Sequence, residues 1–422
     1  MKVLLKNLGK EGYSPAIESY LAAGGYSALK KALNSKDEDI LAEVKKSNLV
    51  GRGGAAFPTG LKWESVMKSK EFPKYVLCNA DEGEPGTFKD RVILENDPHL
   101  LLEAIIICGF AVGAKKGFIY IRGEYFKAYE ILEEAIAEAR EKNFLGENIL
   151  GSNFSFEIDL YQGAGAYVCG EETALLNSLE GKQGLSRLRP PFPAIAGFRN
   201  KPTVLNNVET FVNIPEIILK GGDFFSKIGS PLSPGTKLYS LSGDVNKPGV
   251  YELPMDISLR ELIERYGKGA KGKIKAILPG GVSSSLLTSE NMDVTLDYKN
   301  VQKAGSMLGS AAVIVINDQH CIVDIAKRCI EFFEAESCGK CIPCREGTKR
   351  AREILANISS GKGEERDLEI LKELQEVMYD TSVCGLGQAA LNVVRSAIEK
   401  FPEEFREHIL EKRCNLGICP MV

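Results

Sequence analysis

At 422 residues, 44% hydrophobic and 26% charged, the chain is long enough for two to four compact units with buried cores. A net charge of −4, with lysines and arginines scattered among acids, excludes an electrostatic footprint for nucleic acid or anionic lipid. No apolar run follows the first ten residues, as a secretory signal requires, and eleven cysteines, an odd count, argue against a disulfide framework and for metal ligation.

The chain opens on helices. Ser35 stands where it can cap a helix whose first turn holds Asp37, Glu38 and Asp39 and whose last holds Lys45 and Lys46. A glycine-rich loop follows at Gly51–Gly60. Tyr75–Cys78 and Phe118–Ile121 then read as strands, and Pro98–Val112 and Tyr125–Glu141 as helices, which predicts a layered α/β domain. The apolar run Leu100–Ala114 is too short to span a bilayer and predicts a buried helix, not direct membrane insertion.

Glycine and proline punctuation around Gly221–Gly235 marks a boundary. Beyond it, Leu238–Ser242 and Val250–Leu253 read as a hairpin, Ser258–Tyr266 as a short helix and Ile274–Leu278 as a strand, the pattern of a small β-grasp module. From Asp324 onward the chain predicts helices over 324–335, 346–358, 366–379, 388–400 and 402–412. The expected division is a helical segment over 1–50, an α/β domain over 51–232, a β-grasp-like unit over 233–320 and a helical unit over 321–422.

Cys338, Cys341 and Cys344 form C-x₂-C-x₂-C, and Cys384 follows 40 residues later. Three thiolates from one loop closed by a distant fourth is ferredoxin-like spacing for a [4Fe–4S] cluster. Structural zinc is the rival, but it more often uses two separated C-x₂-C knuckles. Gly339 and Gly385 admit backbone N–H groups to a cluster, and Cys344 is expected just before a helix. The other cysteines read as structural, and Cys414 and Cys419 form a C-x₄-C tail without an assigned role.

The Gly51-x-Gly53-x-x-Ala56 loop matches the dinucleotide fingerprint formally but follows a helix rather than a strand, so it reads either as a surface turn or as a backbone cradle for phosphate with Lys62 downstream. Asn79–Gly86 follows a strand, where α/β ligand sites lie. Gly163–Thr173 joins a strand to a helix, and Glu171 and Glu172 there read equally as a solvated first turn. Taken together, Asn79, Asp81 and the glycines suit a flavin or nicotinamide edge. Phe57 and Tyr167 suit stacking, Lys62 and Arg189 suit phosphates, and a flavin suits the chemistry beside an iron–sulfur cluster.

Long motifs in order, GRGGAAFPTGLKW (Gly51–Trp63), NADEGEPGTFKDR (Asn79–Arg91), GAGAYVCGEETALLNSLEG (Gly163–Gly181), ESCGKCIPCREGT (Glu336–Thr348) and SVCGLGQ (Ser382–Gln388), carry a resemblance. The chain resembles the NADH-binding flavoprotein subunit of respiratory complex I. That resemblance implies an α/β fold: an FMN-binding domain with a Rossmann-like sheet, a β-grasp-like insertion of the SLBB type and a C-terminal helical bundle. It implies FMN held by Gly51, Arg52, Gly53, Gly54, Lys62, Asn79, Asp81, Glu82, the turn Tyr167–Gly170–Glu171, Asn206, Asn207 and Thr210. NADH is implied between Phe57 and Phe192, with Glu84, Glu172 and Arg189 around it, and one [4Fe–4S] cluster on Cys338, Cys341, Cys344 and Cys384. Glu84 and Glu172 are the expected catalytic carboxylates, tuning nucleotide binding. The family usually has glycine where Ala56 stands and a bulky apolar residue where Ser65 stands.

The implied reaction is hydride transfer from NADH to FMN, followed by single-electron steps to the cluster and toward quinone. Implied partners are a small thioredoxin-like [2Fe–2S] subunit and a larger iron–sulfur subunit of the peripheral arm. The implied location is cytoplasmic, peripheral on the inner membrane. The alternatives are the diaphorase subunit of an NAD-linked hydrogenase or formate dehydrogenase, and a zinc-stabilised interaction scaffold.

Overall fold

The computed structural model describes residues 2–421. Four strands, β1 (Tyr75–Ala80), β2 (Lys116–Ile121), β3 (Glu157–Gln162) and β4 (Thr203–Asn207), form a wholly parallel sheet in the order β3-β2-β1-β4. The chain steps outward from β1 to β3, then returns to the free edge of β1, so the order reverses between β1 and β4. Ligands of open α/β sheets bind at such a reversal, beyond the carboxyl ends of the strands.

Side chains alternate across this sheet, because successive residues of a strand face opposite ways. Val76, Cys78, Ala80, Ile119, Ile121 and Val204 enter one core, with the N-terminal helices and the Pro98–Val112 helix. Leu77, Phe118, Tyr120 and Leu205 enter a second core, shared with the C-terminal helices. The sheet is therefore covered on both faces, as a parallel sheet requires. The helix expected from the apolar run lies buried along all but Phe110. Pro98 starts it and left-handed Gly113 (φ +72°) ends it.

Ser35 is not the cap of the Asp37–Lys46 helix. Lys36 occupies that position without a side-chain hydrogen bond, and the Ser35 hydroxyl donates backward to the Lys31 carbonyl, 2.9 Å away. The acids of the first turn serve the helix dipole without it.

The second sheet runs in the spatial order Leu287–Thr288, Ile274–Leu278, Ala312–Asn317, Thr236–Gly243, Gly249–Pro254. The hairpin is antiparallel and the last strand in sequence, Ala312–Asn317, lies parallel to its first strand. That is β-grasp connectivity, and the intervening helix is a short π-helical segment, Glu261–Tyr266. Glu84 joins this unit to the α/β domain: its carboxylate accepts from the Ser283 N–H (2.8 Å), the Ser283 hydroxyl (3.0 Å) and the Tyr167 hydroxyl (2.5 Å).

The C-terminal region holds helices Ile322–Glu336, Ile342–Ser359, Glu365–Thr381, Asn392–Lys400 and Pro402–Ile409. The helix expected over 346–358 begins earlier, because Pro343 is accommodated in the first turn. Cys344 therefore sits inside that turn instead of before it. The helix expected over 388–400 is broken into Gly385–Ala389 and Asn392–Lys400, and Cys384 precedes the first piece.

Candidate functional site

A cleft of about 570 Å³ opens at the sheet reversal. Of the residues singled out in the sequence, it brings together Gly51, Gly53, Gly54, Phe57, Lys62, Asn79, Gly170, Glu171, Glu172, Arg189, Phe192, Asn206, Asn207 and Thr210. Phe57 and Phe192 are each 52% exposed at its mouth, available to stack on a flat ring.

The glycine loop is built for close approach. A Cβ on Gly53 would lie 2.9 Å from the Asn207 Cβ, whereas one on Gly54 would meet no protein atom within 4 Å and would project from the cleft wall. The backbone there is bare toward the cleft, the form a cradle for a planar cofactor takes. Ala56 has φ +52°, the left-handed region that glycine enters without strain. The Arg52 N–H donates to Thr210 Oγ1 (2.8 Å) and fixes the loop to the helix that follows β4.

Asn79 donates to the Gly170 carbonyl (2.8 Å), and Asn206 accepts from the buried Trp63 indole (3.0 Å). Asn207 donates to Asp90 Oδ2 (2.6 Å) and accepts from Lys89 (3.2 Å). Beneath it, Lys89 and Lys237 both contact the fully buried Glu209, at 2.9 and 2.5 Å. This buried network orients Asn207 through Lys89, Asp90 and Glu209, and Trp63 separately orients Asn206; sequence reasoning did not single out any of the four. Lys89 and Asp90 lie in the quoted Asn79–Arg91 motif, so a signal was present. Leu61, Ser65, Ile195 and Gly385 also line the cleft and were missed as contacts.

Charge at the cleft is compensated. Lys62 donates to the Leu205 carbonyl (2.7 Å) and stands 3.7 Å from Glu172, while Arg189 lies 3.1 Å from Glu172. Burial lowers the pKa of the Lys62 ammonium, and Glu172 opposes that shift. Glu171 has a structural use: its carboxylate accepts from the Thr173 and Ala174 amides and caps the Glu172–Leu179 helix.

Five expected contacts stand outside the cleft lining. Arg52 is buried, and its guanidinium donates to the Pro234 carbonyl (2.5 Å). Asp81 lies behind Gly170 with Oδ2 buried and unpartnered, and burial pushes its carboxyl up to about 7. Glu82 turns inward to accept from the Lys89, Asp90 and Arg91 amides and the Tyr125 hydroxyl, which fixes the start of the next helix. Glu84 is taken up by Ser283 and Tyr167, as described. The Tyr167 amide donates to Glu336 (2.9 Å), and its ring packs on Phe332 and Phe333 at 5.1 and 6.4 Å. Tyr167 thus docks the α/β domain on the helix leading to Cys338.

Cys338, Cys341, Cys344 and Cys384 surround one enclosed cavity, completed by Val168, Ser186, Ser337, Lys340, Val383 and Leu386. The four thiols do not form a group with donor atoms within 4.8 Å of one another, the spacing a single ion needs, so their arrangement suits a polynuclear cluster better than one zinc. Lys340 Nζ donates to the Ser186 carbonyl and ties the cysteine loop to the segment leading to Arg189. The two cavities share walls. Val168 faces the cysteines and Gly170 the cleft; Cys384 and Leu386 face the cysteine cavity, and Gly385 between them the cleft.

Comparison with known proteins agrees with this geometry. Residues 44–216 match the model of the Nuo51 FMN-binding domain, and residues 324–408 that of the NADH-ubiquinone oxidoreductase-F iron-sulfur binding region. The chain is 52% identical to an NADH-quinone oxidoreductase F subunit of Rhizobium meliloti (strain 1021), covering 98% of both chains. It is 48% identical to the NADH-quinone oxidoreductase F subunit of Aquifex aeolicus (strain VF5), over 97% of this chain and 94% of that one. It is also 48% identical to the HndC subunit of an NADP-reducing hydrogenase of Solidesulfovibrio fructosivorans, over 96% and 83%. Among solved structures, a chain of an NAD+-reducing [NiFe]-hydrogenase in the H2-reduced state superposes with a TM-score of 0.85 at 35% identity, over 94% of this chain and 67% of that one. The chain belongs to the family of NADH-quinone oxidoreductase F subunits and carries their FMN-binding domain and their iron–sulfur-binding region.

Proposed function

We propose that the protein is the NADH-oxidising flavoprotein subunit of a larger electron-transfer assembly, with the cleft as the flavin and nucleotide site and the four-cysteine cavity as the cluster site. The shared walls carry this reading: the Val168–Gly170 turn and the Cys384–Leu386 segment each present residues to both cavities. Bound FMN supplies the conversion of a two-electron hydride into single electrons that a [4Fe–4S] cluster accepts.

The chain's own residues position and bind. The bare Gly53–Gly54 backbone, Asn79, Asn206, Asn207 and Thr210 form the floor that receives the flavin, and Lys62 supplies positive charge there. Phe57 and Phe192 flank the nicotinamide. Transfer between stacked rings would need no acid or base, so what these residues would contribute to the rate is mostly orientation. Glu172 competes with the nucleotide for Lys62 and Arg189, limiting how tightly NADH and NAD+ are held. Glu84 and Tyr167 are positioning residues that hold the wall between the cavities. The units 1–50, 51–232, 233–320 and 321–422 divide these tasks.

Among the described residues no helix is long and apolar enough to cross a membrane. We place the protein in the cytoplasm, held at the inner membrane through a small thioredoxin-like [2Fe–2S] subunit and a larger iron–sulfur subunit that pass electrons toward quinone. The resemblance to hydrogenase subunits favours a second reading, in which the same chemistry serves an NAD-linked hydrogenase. The test is the visible spectrum of anaerobically purified protein before and after NADH. Flavin bands and a broad iron–sulfur shoulder that both bleach support the route; a colourless protein, or flavin bleaching without the shoulder, refutes it.

A further inference from the structure

The C-x₄-C tail, which the reaction above does not use, converges with two distant residues. The donor atoms of Cys321, His408, Cys414 and Cys419 all lie within 4.8 Å of one another, the one such group among the described residues. Cys321 Sγ is 3.5 Å from His408 Nε2 and 3.6 Å from Cys419 Sγ. A tetrahedral zinc with Zn–S of about 2.3 Å and Zn–N of about 2.05 Å places its ligand atoms about 3.8 Å (S to S) and about 3.6 Å (S to N) apart. The observed separations match that tetrahedron. A disulfide, with sulfurs about 2.05 Å apart, does not fit the 3.6 Å contact.

The histidine is already set as a ligand. Its Nδ1 lies 2.7 Å from the Glu404 carbonyl, which only accepts, so Nδ1 carries the proton and the Nε2 lone pair faces the thiols. A backbone carbonyl holding the far ring nitrogen is the usual outer support of a metal-bound imidazole. Cys321 immediately precedes the Ile322–Glu336 helix, His408 lies in the last turn of Pro402–Ile409, and Cys414 and Cys419 come from a tail without regular structure. The pocket beside the group shares no lining residue with the cleft or the four-cysteine cavity.

We infer that Cys321, His408, Cys414 and Cys419 bind a single structural Zn²⁺. Three thiolates and one imidazole saturate a tetrahedral ion and leave no open position, the mark of a structural rather than a catalytic site. Zinc has no redox chemistry and takes no electrons from the flavin or the cluster. It pins the C-terminal tail to the start of the helix that ends at the Cys338 loop, and so braces the cluster-bearing bundle from its far end.

The test is metal analysis and zinc-edge X-ray absorption on the full chain purified with its flavin and cluster. The expected result is about one zinc per chain, with three sulfurs at about 2.3 Å and one nitrogen at about 2.05 Å. The Cys414→Ser/Cys419→Ser double variant loses zinc at least about tenfold, while its flavin and iron content and its bleaching by NADH stay those of the parent. Absence of zinc from the parent, an all-sulfur shell marking zinc misplaced in the cluster site, or a Cys321–Cys419 disulfide found by peptide mapping overturns the inference. The absorption measurement needs no variant, so it decides even if the double variant fails to fold. The outcome is independent of whether NADH is the substrate.

Discussion

Replacing Tyr167 by Phe removes a hydroxyl that bonds Glu84 and lies 3.2 Å from the Ser283 hydroxyl, at the junction of all three folded regions. The hydroxyl donates to the buried Glu84 carboxylate at 2.5 Å, while the ring contacts with Phe332 and Phe333 survive the change. A hydrogen bond to a charged group contributes about 1.5–3 kcal/mol. Glu84 Oε2 keeps the Ser283 hydroxyl at 3.0 Å after the substitution, which places the cost near the lower end, about 2 kcal/mol. Unfolding entropy of about 2.1 cal/mol/K per residue converts this to a melting shift. If the 422 residues unfold together, the slope is about 0.9 kcal/mol/K and the midpoint falls by about 2 °C. If the β-grasp unit of about 90 residues undocks and melts alone, its own transition falls by about 10 °C. Scanning calorimetry of the holoprotein separates the two cases. A melting profile that matches the parent's refutes the claim that this contact joins the domains.

Four further outcomes follow from the site. Asp81→Asn tests the buried carboxyl in flavin-free protein. The folded carboxyl titrates near 7, raised from 3.8, so the stability attached to its protonated form is fully present below about pH 4 and lost as pH rises through 7. The variant should therefore exceed the parent at pH 8 by up to about 4 kcal/mol, with the gap closing by pH 4; a pH-independent gap in denaturant titrations rejects this. Glu172→Gln frees Lys62 and Arg189 for the nucleotide and should tighten NADH binding about fivefold, the worth of a partly exposed charge interaction of about 1 kcal/mol, measured by titration. Cys344→Ala should lower the iron content from about four atoms per chain and abolish the iron–sulfur shoulder, while flavin bleaching by NADH persists. Ala56→Gly relieves a left-handed alanine that costs about 1–2 kcal/mol, less the glycine entropy of about 0.5–1. Hydrogen exchange of the Gly53–Phe57 amides should slow by up to about twelvefold, and faster exchange would count against the strain argument.

Much of the fold was legible because its signals are local. The 3.6-residue periodicity of the C-terminal helices and the apolar run capped by Pro98 and Gly113 depend only on near neighbours. The gathering of the four cysteines around one cavity was equally legible, since three of them share one loop. The misses are of another kind. Ser35 looked like a cap, but its hydroxyl found the Lys31 carbonyl of the preceding helix, a choice that composition does not distinguish. Glu82 and Glu84 sit in a motif dense with acids, and sequence offered no way to separate a carboxylate facing the cleft from one facing a helix end or another domain. The tail cysteines went unassigned because their partners, Cys321 and His408, approach from helices that only the tertiary packing brings together.

That pattern explains why the motif glycines and the motif carboxylates differ in how well they can be read. A glycine such as Gly53 is fixed by what cannot fit beside Asn207, a steric limit that holds whatever else changes. A carboxylate such as Glu84 is fixed by where its donors come from, and those donors, Ser283 and Tyr167, belong to different units. Glu84 and Tyr167 therefore couple the domain interface to the wall between the two cavities. A change at Ser283, which does not line the cleft, should move the Tyr167–Gly170 turn through Glu84 and through the 3.2 Å contact between the Ser283 and Tyr167 hydroxyls. Ser283→Ala removes one of the two donors on Glu84 Oε2 and keeps the amide on Oε1. Its effect on cluster reduction by NADH should match that of Tyr167→Phe in direction, and the double variant should cost less than the sum, because both act on one carboxylate and touch each other. Strict additivity in single-turnover bleaching would show that the two residues act separately and that the Glu84–Tyr167–Ser283 cluster is not the link.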